Sequence, residues 1–349
     1  MMSSQLDHDM TDDDTSFYYD TSSSTLRDAA LSKATLLSYT NNLNKFLTHT
    51  RLPFLKLIKL SSTLIDQRLS QYIDNLFARN GSYDYASQTM FGLIFHCPRL
   101  RHQLGESRLR LRGWKRLKQH KSHPPITWEL TIVFATTMAK WGRHAEAVAT
   151  LLAFDCFLRV GELTRIRYHD VVMPHDPRMG SAHTGMVVRL ARAKTGLNQS
   201  VSLENVQVQR VLHQYLLAHP FLDSDLIFPF TPSSFRALIK DISTSLGLGS
   251  ISYVPHSFRH GGATHSHQRG ATIEQIMYRG RWVALESARR YIQTARALLI
   301  MLTIPSNLND IGRLLAPHID VVLDHLYITV PSSAPKRDRR VWFQVEIDL

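Results

Sequence analysis

Cysteine is nearly absent from this 349-residue chain. Cys97 and Cys156 are the only two, too few for a disulfide scaffold or a Cys-rich zinc module, and they fit a reducing compartment. Long apolar runs are missing as well. The stretch Leu298–Ile304 stops at Pro305, far short of the roughly 18 residues a membrane span requires, so no membrane partner is expected. The first 25 residues contain no Lys or Arg and carry six Asp, the reverse of a secretory signal or a transit peptide. No Gly-x-x-x-x-Gly-Lys-Ser/Thr loop occurs, which argues against a nucleotide cofactor, and no His-Glu-x-x-His pair occurs, which argues against a zinc hydrolase.

Acidic residues are scarce beyond that tail: 41 basic residues face 23 acidic ones from residue 26 onward, a surplus of 18. A fold does not need such an excess, and it points to a polyanionic partner, nucleic acid before membrane. With 44% hydrophobic residues the chain can build real cores, and its length suggests two domains.

Residues 1–25, rich in Asp, Ser and Thr, read as a disordered acidic tail. Leu36, Tyr39, Leu43, Phe46 and Leu47 then recur at helical spacing. Ser61–Phe77 and Tyr85–Cys97 continue the pattern, so residues 26–121 are expected to form a helical DNA-binding domain. Its last part, Arg99–Lys121, holds nine basic residues against one Glu, with Trp114 among them. Arg108, Arg110, Arg112, Lys115, Arg116, Lys118 and Lys121 are the candidate phosphate contacts, each cation able to displace a condensed counterion. Pro124-Pro125 makes residues 122–127 a stiff linker, after which Thr127 can cap a new helix. From residue 128 to 304 the expected architecture is mainly α with a small antiparallel β-hairpin, an α+β domain. Helices are expected at Trp128–Trp141 and His144–Phe157. Gly185–Thr195 alternates through Val187, Arg189 and Ala191, Gly196-Leu197-Asn198 supplies turn chemistry, and Gln199–Leu203 returns with Val201 and Leu203 inward. Residues 305–349 read as a C-terminal tail, with Pro331–Arg340 a basic linker and Val341–Ile347 a late strand.

Four pieces of the second half carry chemistry together. Arg159 closes an apolar run and precedes Gly161 and Glu162; a guanidinium fork there suits a phosphate, although an Arg159–Glu162 surface pair is the plainer reading. Lys194 stands just before the hairpin turn, able to protonate a leaving oxygen or simply to guard a strand edge. In Pro255-His256-Ser257-Phe258-Arg259-His260-Gly261-Gly262, His256 and Arg259 share a helix face. His256, His260, His265 and His267 also raise metal binding, but no carboxylate or thiolate ligand lies at fixed spacing, and no metal is expected. Finally, a helix capped by Thr272 and Gln275 ends at Gly280-Arg281-Trp282, and a following helix carries Ala288, Tyr291, Ile292, Ala295, Leu298 and Leu302 on one stripe. By itself that stripe makes Tyr291 a core residue.

The order Arg159, Lys194, His256-x-x-Arg259, Trp282, Tyr291, with gaps of 3, 23 and 9 over its last four members, closely resembles the tyrosine recombinase family of phage integrases and Cre-like enzymes across residues 128–303. The wording around His256 and Lys194 is similar to eukaryotic mobile-element recombinases of the DIRS or Crypton sort. Arg281, just before the Trp, departs from the family's usual wording. The resemblance implies a two-domain clamp on double-stranded DNA, a homo-tetramer during strand exchange, and a 3′-phosphotyrosyl intermediate needing neither metal nor ATP, with no small-molecule substrate. It implies Tyr291 as nucleophile, Arg159 and Arg259 on the non-bridging oxygens, Lys194 as general acid, His256 in hydrogen bonding and proton transfer, Trp282 packing the site, and Glu162 behind Arg159. It implies an intracellular protein, in the nucleus if the source is eukaryotic and otherwise in the cytoplasm or nucleoid. A DNA-binding derivative that no longer cuts and a type IB topoisomerase remain open beside the recombinase.

Overall fold

A computed structural model describes residues 26, 30–118, 123–174, 176, 185–193 and 196–332. The chain divides into two compact units that meet between Lys121 and Ser122.

The first unit is helical throughout its described residues. Serines start three of its helices by accepting a backbone N–H: Ser32 for α1 (Lys33–Thr50), Ser61 for α3 (Ser62–Ala78) and Ser82 for α4 (Tyr83–His96). The short α2 (Phe54–Leu57) follows Pro53. A 3₁₀ turn, Pro98–His102, leads to α5 (Gly105–Leu117). That last helix lacks a local cap, and α3 supplies one from a distance. Buried Asp66 accepts the Glu106 and Ser107 amides, both at 2.9 Å, and the Ser107 hydroxyl at 2.6 Å. Phe46, Ile65, Leu69, Ile73, Leu93 and Trp114 form the core. Trp114 thus belongs to the packing, edge-on to Phe77 and Tyr83, and does not join the basic residues on the surface.

The second unit is built on two apolar helices, α6 (Trp128–Lys140), capped by Thr127, and α7 (His144–Asp155). The one-turn α8 (Val160–Leu163) leads to a sheet of order β1-β2-β3, all antiparallel: β1 Val171–Val172, β2 Val187–Ala193 and β3 Gly196–Ser202. Helices α9 (Val206–Leu217), α10 (Pro232–Ser245), α11 (Pro255–Gln268), α12 (Ile273–Gly280), α13 (Leu285–Tyr291), α14 (Thr294–Met301), α15 (Ser306–Leu315) and α16 (Ile319–Thr329) complete it. The fold is mainly α with a small antiparallel sheet, as its sequence implied.

Val201 and Leu203 are buried as expected, with Val188 and Leu190 of β2. Three details differ from the sequence reading. Gly196 and Leu197 are strand residues of β3, paired with Ala193 and Arg192, and do not form the turn. The stripe from Ala288 to Leu302 is broken: Ile292 is extended and ends α13, and Leu298 on α14 and Leu302 just after it face solvent. The segment from Pro305 is no tail as far as Val330. Helices α15 and α16 bury Leu308, Ile319 and Leu323 in the main core, and Gly312 lies so close to α6 that a Cβ there would sit 2.3 Å from the Glu129 carbonyl oxygen. The expected acidic tail, most of the basic linker and the late strand lie outside the described residues.

Candidate active site

Tyr291 is the last residue of α13. Beyond it, Thr264 on α11 ties down the chain, donating to the Tyr291 carbonyl at 3.1 Å and accepting the Gln293 amide at 3.0 Å. The phenol is not sealed in the interior. It is half-buried, and its hydroxyl lies 2.8 Å from His256 Nε2. The ring packs against Trp282 at 4.5 Å, tilted by 37°, and stacks on His260 at 4.4 Å. The Arg259 guanidinium lies over both Trp282 (4.5 Å) and Tyr291 (5.2 Å).

Arg259 is the largest fully buried side chain. It donates to the carbonyls of Phe157 and of Gly280, the latter at 2.6 Å. The Phe157 carbonyl is aimed by a left-handed backbone turn, φ +49°, which costs a bulky residue free energy. Gly280 has its own reason to be glycine: a Cβ would fall 1.9 Å from the Trp282 ring. Behind Arg259 stands the buried Glu162 carboxylate. It accepts from Arg159 Nη1 at 2.6 Å, from the Arg159 amide at 2.8 Å and from Arg281 Nη2 at 2.9 Å, and it lies 4.0 Å from Arg259 Nη1. Burial alone would raise the Glu162 pKa, but Arg281, the Arg159 amide and guanidinium, and Arg259 together hold it below its ordinary value. Burial, then Arg159, lower that of Arg259, against the pull of Glu162. One carboxylate therefore serves three guanidiniums. Arg259 Nε, Arg281 Nε and the Trp282 indole N–H are buried without an acceptor among the described residues.

The structure thus brings Arg159, Glu162, His256, Arg259, Trp282 and Tyr291 into one connected cluster. Lys194 lies outside the described residues. Sequence reasoning missed Arg281 as a member and set His260 aside as a possible ligand. His260 instead stacks on Tyr291 and receives the Gln293 side-chain amide on Nδ1 at 3.0 Å, which leaves it neutral. Among the described residues no group of three His, Cys, Asp or Glu is arranged to hold a metal ion.

In the first unit, the proposed phosphate contacts fall on α5 and its end. Arg112, Lys115, Arg116 and Lys118 are exposed. Arg110 is instead held by Asp74 (2.7 Å) and Glu106 (2.5 Å), and these two carboxylates raise its pKa. Arg108 caps the Arg101 carbonyl at 2.5 Å, and Lys118 donates to Asn80 at 2.7 Å. Lys121 lies outside the described residues, among which no helix is long and apolar enough to cross a membrane.

Residues 133–297 match the model of the phage integrase family. Two solved structures share the fold. The Tn1549 transposon integrase, solved with transposon right end DNA, aligns with a TM-score of 0.55 at 14% identity, covering 78% of this chain and 95% of that one. The XerH site-specific recombinase, solved after cleavage on a palindromic difH substrate, aligns with a TM-score of 0.51 at 15% identity, covering 73% and 74%. No curated protein matches the chain. The second unit thus contains a segment similar to the phage integrase family and shares the fold of these two recombinase structures.

Proposed function

We propose that this protein is a site-specific DNA recombinase or integrase that cuts and rejoins duplex DNA through a 3′-phosphotyrosyl link at Tyr291. The observation that carries this reading is the pairing of the Tyr291 hydroxyl with His256 Nε2 at 2.8 Å under the Arg259 guanidinium. A phenol has an ordinary pKa near 10 and needs a base and a cationic surrounding to attack as phenolate. His256, in hydrogen-bond reach of the phenol, takes the proton; Arg159 and Arg259 receive the charge that develops on the non-bridging oxygens. The new Tyr291 O–P bond forms as the bond from phosphorus to the 5′-oxygen breaks, and Lys194 gives that oxygen its proton. Rejoining reverses these steps, so the phosphoester bond is conserved and no ATP or metal ion is called for. The exposed cations of α5 supply sequence-independent phosphate contacts. Assembly as a homo-tetramer on DNA, and work in the nucleus of a eukaryotic host, belong to the same proposal.

A nicked suicide duplex carrying the cognate site tests it. The wild-type chain is expected to become covalently joined to the 3′ end, giving a slower band on a denaturing gel that Tyr291→Phe abolishes. A chain that binds the duplex yet never forms the adduct is a DNA-binding derivative; plasmid relaxation at any sequence without exchange between sites is a topoisomerase.

A further inference from the structure

The cluster contains one guanidinium for which the reaction above has no role. Arg281 terminates α12 in the left-handed region, φ +56°, where glycine is at ease and a long side chain is not. Its side chain is almost wholly buried. It reaches Glu162 at 2.9 Å, the Arg279 carbonyl at 3.2 Å and the Phe157 carbonyl at 3.4 Å. Its presence adds a third positive charge within 4.0 Å of a single carboxylate. A buried surplus of like charge is costly, and the left-handed backbone adds to that cost. A simple helix terminus would be served better by glycine.

Resting on the recombinase reading, we propose that Arg281 is a positioning residue. It grips one oxygen of Glu162 so that the other oxygen fixes the Arg159 fork for the scissile phosphate. Glu162 is the hinge of the arrangement. Its Oε2 takes Arg281 Nη2 and the Arg159 amide, and its Oε1 takes Arg159 Nη1. Without Arg281 the carboxylate is free to swing toward Arg259, whose Nη1 is already 4.0 Å away, and Arg159 loses its preset orientation. The charge surplus is then a property of the free protein that the phosphate relieves, since an arriving dianionic transition state balances it. The site stores instability in the absence of DNA and releases it on binding.

The test compares Arg281→Gly, Arg281→Lys, Glu162→Gln and the double variant Arg281→Gly/Glu162→Gln. Three readouts are used: melting temperature, melting shift with inorganic phosphate, and single-turnover cleavage of the suicide duplex. Arg281→Gly, relieved of strain and repulsion, is expected to melt no lower than wild type. It should cleave ten- to a hundredfold more slowly while binding intact duplex within threefold of wild type, and the phosphate-induced shift should largely vanish. Lysine should restore part of the rate. The cleavage losses of Arg281→Gly and Glu162→Gln should not add in the double variant, because one acts through the other. Wild-type cleavage by Arg281→Gly, additive losses, or a lowered melting point with an unchanged rate each overturn the proposal and leave Arg281 as a helix cap. Should the wild-type chain form no adduct at all, the recombinase reading falls. The phosphate shift then decides alone whether Arg281 orders the anion site: its loss in Arg281→Gly supports the ordering role, and its survival ends it.

Discussion

His260 is one of the side chains in the candidate site whose charge state burial alters most. Burial first, then the neighbouring His256, press its pKa down to about 3, against a backbone bond at Tyr291 that pulls it upward. The folded chain keeps this ring neutral while an unfolded chain protonates it below about 6.5. Its contribution is therefore fully present above pH 6.5 and is lost as pH falls toward 3. At about 1.4 kcal/mol per unit, the wild-type chain is expected to lose roughly 2 kcal/mol between pH 6.5 and 5 that His260→Phe, which keeps the stacked ring but cannot titrate, does not lose. Urea unfolding of both chains at pH 7 and pH 5 measures the difference; equal losses would mean the ring is not held neutral. At this scale the site was legible through the family resemblance and not residue by residue: Arg159, His256, Arg259, Trp282 and Tyr291 lie in one cluster, although taken singly Arg159 read as a surface ion pair and Tyr291 as core. Arg281 was illegible because its importance comes from a left-handed backbone and from Glu162, 119 residues away, and neither is visible in a local pattern. Likewise, the basic run of residues 99–121 did not reveal that Arg110 is spent on Asp74 and Glu106.

Among the elements, α11 makes the site possible, because two consecutive glycines let it lie against backbone. A Cβ on Gly261 would stand 2.0 Å from the Ile126 carbonyl oxygen, and one on Gly262 would stand 2.1 Å from the Phe154 carbonyl oxygen. Neither obstacle is a side-chain tip that can move aside. Close approach sets α11 directly on the end of α7, and the turn after α7 then delivers the Phe157 carbonyl to Arg259. Gly262→Ala is expected to cost about 3 kcal/mol, the upper range for overpacking, and to weaken adduct formation by moving Arg259 against Tyr291. Thermal unfolding against Gly113→Ala, which meets nothing within 4 Å, checks this; matched melting points would show that α11 has room to shift. Two helix starts were readable because their caps, Thr127 and Thr272, are local. Helix ends within the Tyr291 region were not. The break at Ile292 is fixed by Thr264 on another helix, and a periodic stripe of apolar residues ran through it unmarked. The Gly-Leu-Asn wording was read as turn chemistry, yet Gly196 and Leu197 already pair with Ala193 and Arg192 in the sheet.

At the scale of the whole molecule, the proposed function makes charge the governing term in DNA binding. The chain carries a net +12, yet residues 26–349 alone carry +18, the first 25 contributing six Asp and no basic residue. On that proposal, an acidic segment joined to a basic body would compete with phosphates for its exposed cations, Arg112, Lys115 and Arg116 of α5 among them. That competition weakens binding to any duplex alike, because it acts on the counterion-release part of the affinity. Base readout and the chemistry at Tyr291 are left alone. Removing residues 1–25 is therefore expected to tighten binding to a random-sequence duplex several-fold at about 0.1 M salt, where charges still act over roughly 10 Å. The gain should shrink toward nothing as salt rises, while the single-turnover rate on a saturated suicide duplex stays unchanged. Fluorescence-anisotropy titrations of the full and shortened chains across a salt series give the answer. An affinity gain that persists at high salt would assign the segment a specific contact instead of a screening role.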